Sequence, residues 1–561
     1  MDNAAIADHF SLLARLMDIH GENAFKTRTY SIAAFHIEKL PLPLKDTPRE
    51  SFSGIRGIGD SVAGKVAELL DTGKLAILHE YIEKTPPGVI EMLNIKGIGP
   101  KKIHTIWKEM GIESIGELLY ACNENRLTLF KGFGPKTQQN VRDAIEFYLL
   151  NQGHFLFAQL EEIFPQVEQY LKKIFSADKV HITGAYRRQA LTIEELEFVV
   201  LATNESIKPA FRTAQPPELL EESANSLLYK LKNGLKLRLY TGGSSLAQEL
   251  FRTTGNNVFL QAFDKTFPGL DNNEDMGADE SIYFKKAGIP VIPPCLRETA
   301  TILETARENK LPGLIRPDDI RSLIHCHSNW SDGSDSIEAM AKECISRGWE
   351  YMVISDHSQT AVYANGLKED RVREQHRYID ELNKALHPFT IFKSIESDIL
   401  NDGSLDYPDH VLKTFDLVIA SIHSNLKMDA DKATARLIRA VENPYTCILG
   451  HLTGRLLLSR NGYPVHHKKI IDACAANHVV IEINAHPRRL DMDWTWIGYA
   501  MEKGVLLSID PDAHALAGFN DVKYGVLAAQ KGGLTKPFNL SSFPLPEFTR
   551  WLAASRYQKG L

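Results

Sequence analysis

The C-terminal part of the chain carries histidine and acidic residues at the ends of successive apolar segments. Nine of them could hold metal ions: His325, His327, Asp332, His357, Glu396, His423, His451, Asp512 and His514. Imidazole nitrogens and carboxylate oxygens, with no cysteine among them, suit Zn²⁺, Mn²⁺ or Fe²⁺. One such histidine alone would be an ordinary polar residue at a strand end, but six beside three carboxylates predict a metal site.

Two pairs within this set are closely spaced. His325 and His327, like Asp512 and His514, are separated by a single residue. Residues two apart in a strand face the same side, so both members of a pair can reach one ion if the strand geometry persists there. The spacing therefore allows, on these residues alone, shared ligation within each pair.

The segments that carry these residues are short and apolar, and they alternate with helical stretches. From Arg321 onward they read SLIH, YMVISDH, FTIFKSIESD, LVIASIH, CILGH, VVIEINAH and VLLSIDPDAH. This alternation predicts parallel βα units and a barrel-like α/β domain. In such a barrel the carboxyl ends of the strands converge at one face, where enzymes of this architecture carry out their chemistry.

The motifs around these residues resemble those of the polymerase and histidinol phosphatase (PHP) domain family. In chain order they are HCHSNWSDG, ISDHS, IESDIL, ASIHSNL, GHLTGRLLL, INAHPRRLD and DPDAH, spread across 320–561. The resemblance implies a distorted (β/α)7 barrel with a trinuclear metal site. It places His325, His327, Glu396 and Asp512 on one metal, Glu396 as a bridge with His423 and His451 on a second, and Asp332, His357 and His514 on a third.

Four of these ligands and two arginines are the residues expected to be catalytic. The ligands are His325, His327, Glu396 and Asp512, and the arginines are Arg455 and Arg489. A guanidinium group matches phosphate oxygens, so the two arginines are candidate phosphate contacts. A surface salt bridge is an equally open interpretation for each arginine.

The first 150 residues contain three copies of a glycine turn that leads into a helix. The copies are GIRGIGDSVAGKV at Gly54–Val66, NIKGIGPKKI at Asn94–Ile103 and LFKGFGPKTQQNV at Leu129–Val141. They resemble helix-hairpin-helix motifs, in which amides at a helix start hold a DNA phosphate without reading sequence. The residues expected to contact DNA are Gly57, Gly59, Lys65, Gly97, Gly99, Lys101, Lys102, Gly132, Gly134 and Lys136. Lys65 also matches the place of a Schiff-base lyase lysine in some family X polymerases, with a phosphate-contacting or solvated lysine as the alternative.

The order of segments along the whole chain resembles the bacterial family X DNA polymerases (PolX). The resemblance implies a multidomain α + α/β protein with helix-hairpin-helix domains, a nucleotidyltransferase-like palm and thumb, and the C-terminal barrel. The expected ranges are 1–85 and 86–150 for the helical domains, 151–243 for the palm, 244–315 for a thumb-like region and 320–561 for the PHP domain.

The palm departs from the family pattern at the positions that bind Mg²⁺. The family's G-S-x-R-R motif reads GAYRR here, and its pair of aspartates becomes Glu195 and Glu197. A longer carboxylate displaces the oxygens that Mg²⁺ needs in near-ideal geometry. Lys236 stands at the third carboxylate position and would compete with the metal. The sequence therefore predicts a dead or severely weakened polymerase site in which Mg²⁺ binding is doubtful.

Composition sets the remaining expectations. The six cysteines are scattered without a C-x-x-C pair, which suits a reducing cytoplasm, and neither a signal peptide nor a membrane-spanning run is evident. The formal net charge of −7 does not itself favour nucleic acid, although a local basic patch could still bind it.

Together the motifs predict a monomeric DNA-repair nuclease that acts on gapped, nicked or single-stranded DNA. The PHP site would be a 3′–5′ exonuclease and could also cleave abasic sites in base-excision repair. The alternatives are a small-molecule phosphatase of the histidinol-phosphatase type, a repair-complex scaffold and an active gap-filling polymerase.

Overall fold

The computed structural model describes residues 1–123, 126–150, 153–211, 216–231, 234–241, 245–270, 278–458 and 461–561. The chain divides into two compact units, Met1–Gln152 and Gly153–Leu561. The expected domain boundaries after 150 and after 243 lie at 151–152 and 242–244, outside the described residues. None of the helices in the described ranges has the length and apolar character needed to cross a membrane.

The first unit contains only helices and turns among its described residues. Its helices are α1 (Asn3–Ile19), α2 (Ala24–Glu38), α3 (Asp60–Thr72), α4 (Ala76–Glu83), α5 (Pro87–Glu91), α6 (Pro100–His104), α7 (Ile115–Asn123) and α8 (Pro135–Leu150). Helix α1 begins at Asp2, whose carboxylate accepts the N–H of Ala5 at 2.8 Å. Its apolar face, with Phe10, Leu13 and Met17, is buried in the core of this unit.

A five-stranded sheet organises the first part of the second unit. The elements are β1 (Phe155–Leu156), α9 (Phe157–Phe175), β2 (Val180–Thr183), α10 (Gly184–Arg187), β3 (Thr192–Ile193), β4 (Glu195–Val200), α11 (Asn204–Ile207), β5 (Glu218–Ser223), β6 (Ser226–Lys230) and β7 (Lys236–Thr241). The strand order is β2-β4-β7-β6-β5, with β4 and β7 parallel. Alternate residues Leu196 and Phe198 of β4 share a buried core with Leu237 and Leu239 of β7.

Short helices with an aromatic core follow the sheet. They are α12 (Leu246–Thr254), α13 (Asn257–Thr266), α14 (Ser281–Lys286) and α15 (Thr301–Arg307). Phe251 stacks on Tyr283 with ring centroids 4.2 Å apart. Beside them the fully buried Arg297 makes two hydrogen bonds of 2.9 Å to the carboxylate of Glu280. Pairing of this kind is what allows a charge to be buried.

The last part of the chain is a parallel barrel with helices outside it. Its elements are β8 (Ser322–Cys326), α16 (Ile337–Ser346), β9 (Tyr351–Ile354), α17 (Glu369–Ala385), β10 (Thr390–Asp398), α18 (Asp409–Leu412), β11 (Leu417–Ser421), α19 (Ala430–Val441), β12 (Thr446–Leu449), α20 (His467–Ala476), β13 (Val480–Asn484), α21 (Ile497–Glu502), β14 (Leu507–Asp510), α22 (Val522–Lys531) and α23 (Leu545–Gln558). The seven strands follow chain order in the sheet, and Cys326 pairs with Ala513 just beyond β14, so the first and last strands meet. The predicted near-closed seven-stranded barrel is confirmed.

Polar contacts join the barrel to the preceding part of the second unit. Lys531 of α22 is only 5% exposed, and its ammonium donates to the carbonyl oxygen of Arg188 at 2.8 Å and to the carboxylate of Glu298 at 2.5 Å. Lys523 of the same helix donates to Glu161 at 2.6 Å. Helix α22 is therefore held by charged groups from outside the barrel.

Candidate functional site

The barrel brings all nine predicted ligands together at the carboxyl ends of its strands. They are placed by β8 (His325, His327 and, in the following loop, Asp332), β9 (His357), β10 (Glu396), β11 (His423), β12 (His451) and β14 (Asp512, His514). The strands are buried along nearly their whole length. Side chains that contribute to the site therefore come from the carboxyl ends of the strands and the loops that follow.

Glu396 lies at the centre of the cluster. Its Oε1 is 3.0 Å from His451 Nε2, 3.2 Å from His423 Nε2 and 3.3 Å from His325 Nε2. Its Oε2 is 3.0 Å from His357 Nδ1. A carboxylate that contacts imidazoles from four different strands is suited to bridge more than one cation.

Three sets of side chains bring their ligand atoms within 4.8 Å of one another. The sets are His327 with Asp332, His357 and His514; His325 with His327 and Asp512; and His357 with Glu396 and His423. Oxygen and imidazole ligands at this spacing fit divalent metal ions. His327 and His357 each belong to two sets, so the cluster is one continuous site and not three separate ones.

The backbone at His325 departs from the regular strand that the sequence predicts. The pairing of β8 with β9 shifts register between Ile324 and Cys326, and His325 has a φ of 57°. Asp512 likewise has a φ of 52°. Left-handed backbone at a non-glycine residue costs on the order of 1–3 kcal/mol and concentrates at functional sites. Regular strand geometry therefore does not persist at His325, although its side chain still reaches the cluster.

Several buried atoms of the cluster have no hydrogen-bond partner in the protein. They are His325 Nε2, His327 Nδ1, His451 Nδ1 and Glu396 Oε2. Leaving a buried polar atom unsatisfied costs about 1–3 kcal/mol. Cations held at His325 Nε2, His327 Nδ1 and Glu396 Oε2 would satisfy these three atoms, so the residues present fit a metal centre.

Two carboxylates that sequence patterns did not single out bind the Nδ1 atoms of histidines in the cluster. Glu482 of β13 contacts His325 Nδ1, and Asp398 lies 2.5 Å from His423 Nδ1. A carboxylate that accepts the Nδ1 proton leaves the Nε2 lone pair free to bind a metal. Period-two spacing was the available signal, because Asp398 follows Glu396 by two residues on one strand.

His327 and Asp332 have charge states that suit metal ligation. Burial, together with His357 and His514, lowers the pKa of His327 to about 3, so this imidazole is neutral at physiological pH. Burial alone would raise the pKa of Asp332, but the neighbouring histidines, His514 foremost, lower it to about 2. A neutral imidazole beside an ionised carboxylate is the form in which both bind metals.

The two predicted phosphate-contacting arginines occupy different places. All three side-chain nitrogens of Arg455 bind protein groups: the carbonyl oxygens of Arg489 and Leu490 and the carboxylate of Asp493. Arg489 places its Nε 3.7 Å from Asp512 Oδ2. Arg489 therefore borders the ligand cluster. Arg455 instead binds the backbone of the loop that carries Arg489.

The glycine turns of the first unit have the backbone that their sequence predicts. Gly57, Gly97 and Gly132 have φ values of 86°, 84° and 92°. The second glycine of each turn, Gly59, Gly99 or Gly134, stands directly before α3, α6 or α8. The turns therefore present backbone amides at three helix starts, the arrangement that suits a phosphate.

The lysines near these turns lie at or near the surface of the first unit. Lys101 and Lys136 are exposed. Lys102 donates to the carbonyl oxygen of Gly97 at 3.3 Å. Lys65 lies 3.5 Å from the carbonyl oxygen of Ser61, with its ammonium 5.9 Å from the ring centre of Tyr30.

The two palm glutamates are already paired with protein groups. Glu195 accepts two hydrogen bonds from Arg238 of β7, at 2.5 Å from Nε and 3.1 Å from Nη2. Glu197 accepts the N–H of Ala185 at 2.9 Å and the hydroxyl of Tyr240 at 3.0 Å. Both carboxylates therefore face donors from the chain itself.

Lys236 contacts neither Glu195 nor Glu197 through its ammonium group. Its ammonium binds Glu194, and the cation on Glu195 is Arg238, two residues further along β7. The absence of a side chain at Gly184 leaves room for the carboxylate of Glu197, because a Cβ at position 184 would lie 1.7 Å from Glu197 Oε2. Its φ of 65° also favours glycine.

The arginines of the GAYRR motif are also held by acidic residues. Arg187 makes bonds of 2.6 and 3.0 Å to the carboxylate of Glu280. Arg188 donates to Glu298 at 3.2 Å. Both arginines of this motif are thus paired with acidic residues.

Comparison with protein families agrees with these features. The helix-hairpin-helix domain model matches residues 1–75, and the SAM-like helix-hairpin-helix tandem model matches residues 89–146. The PHP domain model matches residues 324–486. The three glycine turns lie within the two helix-hairpin-helix matches. Seven of the nine cluster residues lie within the PHP match, and Asp512 and His514 follow it.

Individual relatives cover either the whole chain or its barrel. Probable phosphatases of Caldanaerobacter subterraneus subsp. tengcongensis and Thermoanaerobacter sp. (strain X514) are 28% and 25% identical, over 31% and 39% of this chain and 68% and 89% of their own lengths. The DNA polymerase/3′–5′ exonuclease PolX of Bacillus subtilis (strain 168) is 31% identical over 545 residues, 93% of this chain and 94% of the relative. The chain therefore belongs to the PolX family, with a PHP domain following its helix-hairpin-helix regions.

Proposed function

We propose that the PHP domain hydrolyses phosphodiester bonds of DNA as a 3′–5′ exonuclease, with cleavage at abasic sites as a related activity. The observation that carries the proposal is the Glu396-centred cluster, whose nine ligand positions are all occupied by ligand-competent side chains. Gapped, nicked or single-stranded DNA is the proposed substrate, and repair synthesis or base excision the proposed setting. The glycine turns of the first unit support DNA as the partner.

The cluster residues would hold up to three divalent ions, with Zn²⁺, Mn²⁺ and Fe²⁺ all compatible with the ligands. Such ions, when bound, supply Lewis acidity and a hydroxide near neutral pH. The protein's own part is to orient the ligands: Glu482 holds the Nδ1 proton of His325, and Asp398 holds that of His423. Both histidines thereby keep one fixed tautomer.

Substrate approaches the cluster where it is most open. The side chains of His514 and Asp332 are 41% and 32% exposed, whereas His325 and Glu396 are buried. Arg489, beside Asp512, is placed to bind a phosphate oxygen through its guanidinium group. Substrate would therefore bind with its phosphate between the exposed ligands and Arg489.

We further propose that the palm has lost polymerase activity. Mg²⁺ would have to displace Arg238 from Glu195, and a guanidinium held by two hydrogen bonds opposes a second cation at the same carboxylate. An active gap-filling polymerase is disfavoured on this ground. The palm and thumb would then serve to position DNA.

A small-molecule phosphatase is the second candidate, favoured by the probable phosphatases that match the barrel. The first unit, with three amide-presenting turns, would have no role in such an enzyme. DNA is for that reason the preferred substrate.

The test uses end-labelled single-stranded, gapped and abasic DNA, with Mn²⁺, with EDTA and with nucleotides. We expect shortened products that require metal and that are lost in Asp512→Asn but retained in Glu195→Gln. Loss of ion stabilisation worth several kcal/mol lowers the rate by roughly a thousand-fold. Extension products would contradict the proposed loss of polymerase activity. Intact DNA together with phosphate release from small monoesters would support the phosphatase instead.

A further inference from the structure

A cavity of about 470 Å³ lies between the loops that follow β10 and β11. Its lining includes Asn401, Asn425, Leu426, Met428, Lys432 and Arg436. None of these residues belongs to the metal cluster. The cavity therefore needs an account separate from metal binding.

Both loops begin at residues of the cluster. Asn425 follows the ligand His423 by two residues, and Asn401 follows Asp398 by three. Asp398 and His423 are joined by a hydrogen bond of 2.5 Å. The cavity is therefore tied to the same strand ends that present the proposed ligands.

A buried arginine fixes the shape of the cavity. Arg436 is 3% exposed, and its Nε donates to the carbonyl oxygen of Leu400 at 2.8 Å while Nη2 donates to that of Ile399. Its Nη1 donates to the carbonyl oxygen of Ser424 at 3.1 Å. One side chain thus binds both the loop after β10 and the loop after β11. Because these hydrogen bonds fix the two loops relative to each other, the cavity between them is preformed.

The lining offers three kinds of contact in one small space. Leu426 and Met428 provide an apolar surface, and Lys432 provides an exposed ammonium group. The amide of Asn425 donates to Asn401 Oδ1 at 2.6 Å, and both amides keep further donor and acceptor capacity. An apolar surface, amide groups and a cation match the base and the phosphate of one nucleotide.

We propose that this cavity binds one nucleotide of the DNA strand next to the phosphodiester bond that is cleaved. The proposal rests on the proposed nuclease function, because it names a binding position for the same substrate. The base would lie on Leu426 and Met428 with an edge on the asparagine pair, and the adjoining phosphate would bind Lys432.

The variants are Asn425→Gly, Asn401→Ala and Lys432→Ala. Glycine suits position 425 because the backbone there has a φ of 54°, so the amide is removed without backbone strain. Lys413→Ala is the matched control, since this exposed lysine precedes β11 and so lies toward the opposite end of the barrel. Thermal melting checks that each variant is folded.

Each variant is assayed with an oligonucleotide and with bis(p-nitrophenyl) phosphate, a diester without a nucleoside. Each cavity variant should raise KM for the oligonucleotide about tenfold, with little change in kcat, as expected for loss of one polar contact. The ratio of oligonucleotide to small-diester hydrolysis should fall by the same factor. Lys413→Ala should leave both quantities unchanged.

The outcomes separate this inference from the function on which it rests. Small-diester hydrolysis with an unchanged oligonucleotide KM in all three variants would overturn the cavity assignment and leave the nuclease proposal standing. Equal losses on both substrates would also overturn it, because the residues would then act through the metal cluster. Competition by free thymidine monophosphate without an oligonucleotide KM shift would assign the cavity to a free nucleotide instead.

If neither substrate is hydrolysed, the nuclease proposal fails, and binding tests the cavity alone. An oligonucleotide carrying 2-aminopurine near its 3′ end is titrated into Asp512→Asn protein, with and without Asn425→Gly. A tenfold weaker dissociation constant with Asn425→Gly would support the cavity assignment, and equal constants would overturn it.

Discussion

The palm and the barrel both place carboxylates on strands of a sheet, but they balance the negative charge in different ways. In the palm, Glu195 is bound by Arg238, and Glu197 by an amide and a tyrosine hydroxyl. In the barrel, Glu396 is surrounded by imidazoles, whose nitrogen atoms lie within 3.3 Å of its two oxygens. Glu195 already has a positive partner from the protein, so it does not accept an external cation. Glu396 contacts imidazole nitrogens that can themselves bind a metal, so it can accept one.

The pKa shifts of the two carboxylates run in opposite directions. Burial raises the pKa of Glu197. Burial would also raise that of Glu396, but His423, His325 and His357 hold it well below its usual range. The barrel therefore maintains a charged carboxylate at Glu396, whereas the palm does not favour one at Glu197.

The largest effect is expected at the carboxylate behind His325. Glu482→Gln should weaken metal binding by about 10–100-fold, because an outer hydrogen-bond partner fixes the tautomer and basicity of its histidine. Metal content after dialysis against graded chelator concentrations measures the change. Glu195→Gln in the palm is the matched control and should release no metal, and equal losses in the two variants would remove the distinction between the sites.

A smaller effect is expected when the palm loses its internal cation. Arg238→Met should lower the free energy of unfolding by about 1–2 kcal/mol, between the values for exposed and buried ion pairs, since Arg238 and Glu195 are partly buried. Urea denaturation measures it. Arg439→Met removes an exposed pair with Asp402 and should cost less than half as much. An unchanged free energy for Arg238→Met would mean that Glu195 does not depend on this partner.

The smallest effect is a pH-dependent gain at Glu197. Because its pKa is higher in the folded protein than in the unfolded chain, its ionisation opposes folding as the pH rises through the folded pKa. Glu197→Gln should therefore melt at a slightly higher temperature than the wild type at pH 8, with the difference vanishing at acid pH.

Differential scanning calorimetry across this pH range measures the sign. Glu195→Gln, which weakens the pair with Arg238, should shift the melting temperature downward at pH 8. A downward shift for Glu197→Gln as well would indicate that the ionised Glu197 is needed, as in a metal site.

Sequence patterns could locate the nine ligands because each closes a strand-like segment or follows one within a few residues. They could not locate Glu482, which lies inside the apolar segment VVIEINAH and depends on which strand face turns inward. They also could not identify Arg238 as the partner of Glu195. Lys236 is opposite Glu195 in the strand register, yet its side chain binds Glu194. The spacing of residues along the chain does not determine the direction that a side chain takes.

The ion pair between Arg238 and Glu195 also bears on how this chain could change over generations. Restoring aspartate at position 195 or 197 alone would leave the guanidinium in place, and replacing Arg238 with an acid alone would crowd three carboxylates together without a cation. A group of carboxylates open to a cation at this place would therefore require coordinated substitutions at positions 195, 197 and 238, because these side chains share partners and their effects do not add independently.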